Sequence, residues 1–110
     1  MGKVVFIKSD SIGDGELGLK LMQSFLYSLA RTDKKPSAIF LMNAGVRLSC
    51  EGSDALESLG MLAADGVEVR SCGTCLSYYE LTDRLAVGEV GNMNDTAGAF
   101  MDASDVVSVG

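Results

Sequence analysis

The sequence contains no histidine and no tryptophan, and it has a single proline. Without histidine, the chain has no imidazole for general acid-base chemistry, for Ser-His or Cys-His activation of a nucleophile, or for zinc binding. Aromatic residues make up only 6% of the chain, so the core depends on aliphatic side chains and methionine. The classes of function that require a histidine are therefore excluded.

Basic residues are also scarce. Nine Lys and Arg residues stand against 15 Asp and Glu, which gives a formal net charge of -6. An acidic chain repels the phosphate backbone, and the longest basic cluster is the pair Lys34-Lys35. The first eight residues are too short and too charged for a signal peptide or a membrane-spanning helix of about 20 residues. We therefore expect no nucleic-acid partner, no membrane association and a cytoplasmic location.

Apolar runs separated by turn residues predict the strands. With 110 residues and 47% apolar residues, the chain is long enough for one hydrophobic core, and residues 1–110 are predicted to form a single domain. A Val, Ile and Phe run is typical of a buried strand. The predicted strands lie at residues 3–8, 38–42, 67–70 and 105–109, while residues 86–92 are ambiguous between strand and loop.

Helices are predicted between these strands. Residues 16–30 have apolar residues at three- and four-residue spacings, which predicts one buried stripe: Leu17, Leu21, Met22, Phe25, Leu26 and Leu29. Ser53 is the predicted N-cap of a second helix. A short helix is predicted from residue 75 to about 83, and a last one at 95–101. Alternation of strands and helices with short connections predicts an α/β fold with a parallel sheet.

The motif Cys72-Gly-Thr-Cys75 is the strongest candidate site. It follows the third predicted strand and leads into a predicted helix, so its sulfur atoms are expected near unpaired backbone N–H groups. Such a position lowers the pKa of a cysteine and favours the thiolate, the nucleophile that accepts or passes on a sulfur atom. A second thiol three residues away can resolve a persulfide or close a disulfide. We therefore interpret this turn as a sulfur- or selenium-handling site.

Other interpretations of the cysteines remain open. The pair could be structural, since free cysteines often behave as small hydrophobic residues. It could also be half of a four-cysteine zinc site shared between subunits, with Cys50 as an extra ligand. A thioredoxin-like redox role is disfavoured, because such domains need a proline loop facing the motif and Pro36 precedes a different strand. We interpret Cys50, which follows the second strand, as incidental to the pair.

The loop at residues 9–15 has the position of a phosphate-binding loop but not its sequence. No Lys followed by Ser or Thr comes after its glycines, and Asp10, Asp14 and Glu16 would repel phosphate. We interpret these acids as residues that cap the helix or stabilise the loop.

Several motifs occur in the order typical of one family. They are Ser9-Asp10, Gly15-Glu16-Leu17-Gly18, Leu21-Met22, Asn43-Ala-Gly-Val46, Glu51-Gly52-Ser53, Ser71-Cys-Gly-Thr-Cys75, Val87-Gly-Glu-Val90 and Asn92-Met93. On these motifs the chain resembles the YedF-like group of DsrE-fold proteins, described as sulfurtransferases of selenium metabolism, over nearly its whole length. Fuller members of this group carry a small sulfur-carrier domain ahead of the region that this chain resembles.

The resemblance implies a DsrE-like three-layer α/β/α fold with a mostly parallel five-stranded sheet, assembled as a trimer or hexamer. It also implies that Cys72 or Cys75 relays the chalcogen between donor and acceptor proteins. We expect neither a cofactor nor a resident metal. The residues expected to line the pocket are Asp10, Asn43, Gly45, Gly73 and Thr74. The alternative is a non-catalytic module that binds a small ligand or a protein, and the sequence leaves open whether a carrier of this kind turns over as an enzyme.

Overall fold

The computed structural model describes residues 2–110, along which strands and helices alternate. The elements follow in chain order: β1 (Lys3–Ile7), α1 (Gly15–Arg31), β2 (Ala38–Leu41), α2 (Leu56–Ala64), β3 (Glu68–Cys72), α3 (Gly73–Tyr78), β4 (Glu89–Gly91), α4 (Met93–Asp102) and β5 (Asp105–Val109). Two stretches of 3₁₀ helix lie at Asn43–Ser49, called the 3₁₀ segment below, and at Thr82–Arg84. Within residues 2–110, none of the helices has the length and apolar character needed to cross a bilayer.

The five strands form one sheet in the order β4-β3-β2-β1-β5, and every neighbouring pair is parallel. The predicted parallel α/β architecture is therefore confirmed. All four residues of β2 are buried, and Ile39 at its centre is paired with Val5 on one side and Val69 on the other. A strand that is covered on both faces has a continuous apolar sequence, which explains why all four residues of β2 are apolar.

Each face of the sheet has its own apolar cluster. On one face, Val5, Ile39 and Val69 pack with the buried residues of α1 and α2. On the other face, Val4, Ala38 and Phe40 pack against α4. The ring of Phe100 in α4 lies 5.2 Å from the ring of Phe6 and 5.6 Å from that of Phe40, both in edge-to-face geometry. Helices on both faces give the expected three layers.

The buried stripe of α1 differs from the predicted one. Met22 and Leu26 are fully buried, but Leu17 and Leu21 are 67% and 44% exposed, so the prediction was wrong for these two. The buried line begins instead at Gly18. A Cβ at Gly18 would lie 2.3 Å from the carbonyl oxygen of Gly13. The loop before α1 thus packs directly on Gly18. The side of the helix that carries Gly18 faces the core, and Leu17 and Leu21 lie outside the buried line.

Several element boundaries also differ from the sequence prediction. The helix predicted from residue 75 to about 83 is the shorter α3, Gly73–Tyr78, and the helix predicted at 95–101 is α4, Met93–Asp102. Ser53 does not cap α2, which begins three residues later at Leu56; its hydroxyl accepts the N–H of Ala55 at 3.0 Å in the turn before the helix. Strand β3 continues to Cys72, because the hydrogen-bonded ladder with β4 extends to the pair Cys72 and Gly91. The ambiguous stretch 86–92 contains the short strand β4.

Candidate functional site

The cysteine turn, Cys72 to Cys75, lies at the carboxyl edge of the sheet. Cys72 is the last residue of β3, and Cys75 lies in the first turn of α3. The 3₁₀ segment emerges from β2 at the same edge, because neighbouring parallel strands end on the same side. Ser49 of this segment and Ser71 of β3 are buried, and their hydroxyl oxygens are 2.7 Å apart. This contact ties the segment to the strand that carries the cysteines.

The sulfur of Cys75 has a backbone hydrogen-bond donor from the 3₁₀ segment. The N–H of Asn43 donates to Sγ of Cys75 at an N···S distance of 3.1 Å. Asn43 has φ 51°, in the left-handed region that asparagine tolerates better than most residues. The sequence pointed to Asn43 as a pocket residue, and the structure brings its backbone N–H to the sulfur of Cys75.

Burial dominates the acidity of Cys75. The pKa of its thiol is raised, mainly because the surrounding protein desolvates the charged form; the hydrogen bond from Asn43 acts in the opposite direction, and the nearby Cys72 raises the pKa further. The expectation of a lowered pKa was therefore wrong for Cys75. A position in the first turn of α3 favours the thiolate, but it does not compensate for the loss of solvent. The two thiols are close enough to interact directly, and all three cysteines are free.

Tyr79 is part of the site although the sequence analysis missed it. Its hydroxyl donates to Oδ1 of Asn43 at 2.7 Å, and the guanidinium carbon of Arg47 lies 4.4 Å from the centre of its ring. The sequence holds only a weak signal for Tyr79, which follows Cys75 by four residues, about one turn of the short helix predicted there. It holds no comparable signal for Arg47.

Arg47 connects this group to Asp10. The guanidinium Nη1 lies 3.8 Å from the Asp10 carboxylate, which is a long ion pair between partly exposed groups. A chain of contacts through Arg47, Tyr79 and Asn43 therefore links Asp10 to the cysteine turn. The first loop places Asp10 near the site, but its carboxylate forms an ion pair with Arg47.

The other predicted pocket residues have mostly structural positions. A Cβ at Gly45 would lie 2.4 Å from the carbonyl oxygen of Ile7, so this glycine allows the 3₁₀ segment to pack on the end of β1. Gly73 lies against Val90, where an added Cβ would be 3.1 Å from Cγ1 of that valine. Thr74 is exposed. Arg70, which precedes the cysteine turn, forms ion pairs with Glu68 and Glu89.

Cys50 does not join the cysteine pair. It is buried, with an exposed fraction of 1%, and its thiol donates to the carbonyl oxygen of Val46 at 3.2 Å. Burial raises the pKa of Cys50. Among residues 2–110, no three His, Cys, Asp or Glu side chains are grouped so that they could hold a metal ion. Within one chain, Cys50 is therefore not a further ligand beside Cys72 and Cys75.

An open cavity of about 400 Å³ lies beside these residues. Its lining combines apolar side chains, which include Leu48, Ala55 and Leu81, with charged side chains. Arg47 and Tyr79 form part of its wall, whereas the lining includes Cys50 but neither Cys72 nor Cys75. Its volume falls in the range of small-molecule sites. Tyr79 thus belongs both to the cavity wall and to the hydrogen-bonded group around Asn43.

No protein-family model matches the sequence, and no curated protein sequence matches it. Solved structures do share the architecture. The ychN protein from E. coli matches with a TM-score of 0.75 at 20% identity, over 98% of this chain and 99% of that chain. A protein of unknown function, MTH1491 from Methanobacterium thermoautotrophicum, matches with a TM-score of 0.66 at 20% identity, over 96% of this chain and 97% of that chain. Both have a DsrE/DsrF-like fold.

This chain has a DsrE-like fold. The predicted fold class is therefore confirmed. At 20% identity, the likeness shows the fold alone, and function has to be argued from the site.

Proposed function

We propose that this chain accepts and relays a sulfur or selenium atom as a persulfide-type adduct on Cys75, with Cys72 as the second thiol. The observation that carries this proposal is the 3.1 Å hydrogen bond from the N–H of Asn43 to Sγ of Cys75. A hydrogen bond to the charged form favours negative charge on the sulfur, which the attacking thiolate requires. The resemblance to YedF-like proteins supports the class of atom transferred.

The loading step is a thiolate exchange. The Cys75 thiolate attacks the outer, sulfane sulfur of a donor persulfide; the new bond joins this sulfur to Sγ, the donor S–S bond breaks, and the donor leaves as a thiolate. No oxidant is needed, because the sulfane sulfur moves between two thiols. Since burial raises the pKa of Cys75, the resting thiol is mainly protonated near neutral pH, and loading is expected to become faster as pH rises.

Cys72 provides a way to release the atom. An acceptor thiolate can attack the outer sulfur of the Cys75 persulfide and regenerate the Cys75 thiolate. Alternatively, the Cys72 thiolate attacks Sγ of Cys75, a Cys72–Cys75 disulfide forms, and hydrosulfide leaves. The second route requires a dithiol reductant to restore the pair. For selenium, the same bonds form and break with a perselenide in place of the persulfide.

Mass spectrometry of the intact protein tests the proposal. After incubation with a cysteine desulfurase and cysteine, wild type should gain about 32 mass units, the weight of one sulfur atom, in an adduct that a reductant removes. Cys75→Ser should lose the adduct. Cys50→Ser should retain it and is the matched control, because that thiol lies outside the pair. The absence of an adduct on wild type, while a known acceptor protein is loaded in the same mixture, would overturn the proposal.

The cavity favours a second candidate function, a small-ligand module in which the cysteines are structural. Because its wall contains neither Cys72 nor Cys75, a ligand there need not contact the thiols. This candidate predicts that Cys72→Ser and Cys75→Ser leave ligand binding unchanged and that no chalcogen adduct forms. Stoichiometric zinc in protein purified without a chelator would favour metal-bound cysteines instead.

A further inference from the structure

The donor to Cys75 is itself held by a second residue. Asn43 has a left-handed backbone, which is less favourable for asparagine than for glycine. Its side-chain Oδ1 accepts the hydroxyl of Tyr79 at 2.7 Å. The hydrogen bond from Tyr79 is made in the conformation that presents the N–H of Asn43 to the sulfur. Tyr79 therefore stabilises the geometry of a hydrogen bond in which it takes no part.

The ring of Tyr79 is held in turn by its neighbours. The guanidinium of Arg47 covers the ring at 4.4 Å, and the ring of Tyr78 packs against it edge to face, with a centroid distance of 5.1 Å and an interplanar angle of 87°. Tyr78 is 80% exposed and has the same side-chain chemistry as Tyr79. The chain thus offers a matched pair of tyrosines, only one of which bonds to Asn43.

Several ionisable groups lie on the elements that pack against α3, which carries Cys75. α3 packs against the 3₁₀ segment, β3 and the turn at Thr82–Arg84. The 3₁₀ segment carries one ionisable side chain, Arg47. Strand β3 carries Glu68, Arg70 and Cys72, and the Thr82–Arg84 turn carries Asp83 and Arg84. Arg70 pairs with Glu68 and Glu89, and Arg84 pairs with Glu51. Replacing the Tyr79 hydroxyl with hydrogen changes none of these charges, so its effect on Cys75 can be measured separately.

We propose that Tyr79 is a positioning residue for Cys75, acting through Asn43 to keep a backbone N–H directed at the sulfur. This role adds a positioning residue to the proposed chalcogen relay, and its biological function rests on that proposal. When the hydroxyl is removed, Asn43 loses a restraint on its left-handed conformation, and the N–H is directed at the sulfur for a smaller fraction of the time. The thiolate of Cys75 then becomes less stable, and Cys75 reacts more slowly at a given pH.

The pH dependence of alkylation tests this role. The rate of iodoacetamide modification is followed at each cysteine by peptide mass spectrometry, for wild type, Tyr79→Phe and Tyr78→Phe. Tyr79→Phe should move the Cys75 profile to higher pH and slow its modification near pH 7.5 by about three- to tenfold, the size expected when a hydrogen bond to a charged group is weakened. Tyr78→Phe should follow wild type within about twofold.

A second pair of variants separates positioning from a general loss of structure. Asn43→Gly keeps the backbone N–H and suits the left-handed conformation but has no Oδ1. In this background, Tyr79→Phe should cause no further change in the Cys75 profile. An unchanged profile in Tyr79→Phe alone would overturn the proposal. So would an equal shift in Tyr78→Phe, or a full Tyr79→Phe effect in the Asn43→Gly background.

Alkylation requires no chalcogen donor, so this test is independent of the relay itself. If wild type accepts no sulfur but Tyr79→Phe still shifts the Cys75 profile, the proposed function fails and the positioning role stands. If sulfur loads on Cys75 but the two profiles coincide, the function stands and the positioning role fails.

Discussion

Asn43 donates its backbone N–H to the sulfur of Cys75, although the two residues are 32 positions apart in the chain. The contact depends on how the 3₁₀ segment packs against the end of β3, and not on the cysteine turn alone. Residues that hold this packing are therefore expected to influence the site even when they do not touch the sulfur.

The hydroxyls of Ser49 and Ser71 are expected to have unequal effects on stability. Ser49 donates to the carbonyl oxygen of Val46 at 2.9 Å, so the proton in the Ser49–Ser71 contact comes from Ser71. Ser49→Ala leaves the buried Ser71 hydroxyl without its acceptor and should cost about 1–3 kcal/mol. Ser71→Ala leaves the donor of Ser49 satisfied and should cost about 1 kcal/mol. Urea unfolding of both variants measures the difference, and equal costs would contradict this assignment of the proton.

The close approach at Gly45 predicts a specific sensitivity to added volume. In Gly45→Ala, the new Cβ meets the backbone of Ile7 at 2.4 Å, so the 3₁₀ segment must shift away from β1. We expect a loss of about 1–3 kcal/mol in the free energy of unfolding, as for overpacking in a core.

Gly60→Ala is the matched control for this substitution. Gly60 lies inside α2 and has nothing within 4 Å of the added Cβ. Alanine has the higher helix propensity, so this variant should gain about 0.5–1 kcal/mol. Chemical denaturation of the two variants should give changes of opposite sign. A Gly45→Ala protein as stable as wild type would show that the segment does not require this close contact.

Because the thiol of Cys50 is buried, we expect the protein to lose stability in alkaline solution. Burial raises its folded-state pKa above the ordinary value of 9.0, so the unfolded chain releases this proton at a lower pH than the folded chain. Stability from this group is present below pH 9 and is lost as the pH rises through the interval between the two pKa values. Each pKa unit of that interval corresponds to about 1.4 kcal/mol.

Cys50→Ser tests this effect, because serine can keep a donor to Val46 but does not ionise in this range. Urea unfolding at pH 7.5 and pH 9.5 should show a smaller decrease for the variant than for wild type. Parallel decreases would mean that Cys50 does not contribute to the alkaline loss.

Much of the site's location could be predicted from the sequence, because it follows from strand order. Apolar runs identified β1, β2 and β3, and parallel neighbours bring the residues after them to one edge of the sheet. Asn43 and the cysteine turn were therefore expected together. The contact between Tyr79 and Asn43 could not be predicted. It depends on which face of the six-residue helix α3 meets the 3₁₀ segment, and sequence periodicity says little about so short an element.

The orientation of α1 and the acidity of Cys75 show what a local pattern misses. Leu17 and Leu21 have the spacing of buried residues, but the close packing of the preceding loop on Gly18 decides which side of the helix faces the core. For Cys75, the sequence predicted a nearby backbone N–H donor but not that Asn43 supplies it. The direction of the pKa change depends on how deeply the surrounding elements bury the sulfur, which a motif of four residues does not contain.

The location of the transferred atom tests the central claim most directly. Wild-type protein is loaded with sulfur by a cysteine desulfurase, the remaining thiols are blocked, and peptides are analysed by mass spectrometry without reductant. We predict a persulfide on Cys75, with an added mass of about 32 units on that residue, and blocked but unloaded thiols at Cys72 and Cys50. A persulfide found on Cys72 or Cys50 instead, or none where a control acceptor is loaded, would contradict the assignment of Cys75 as the acceptor.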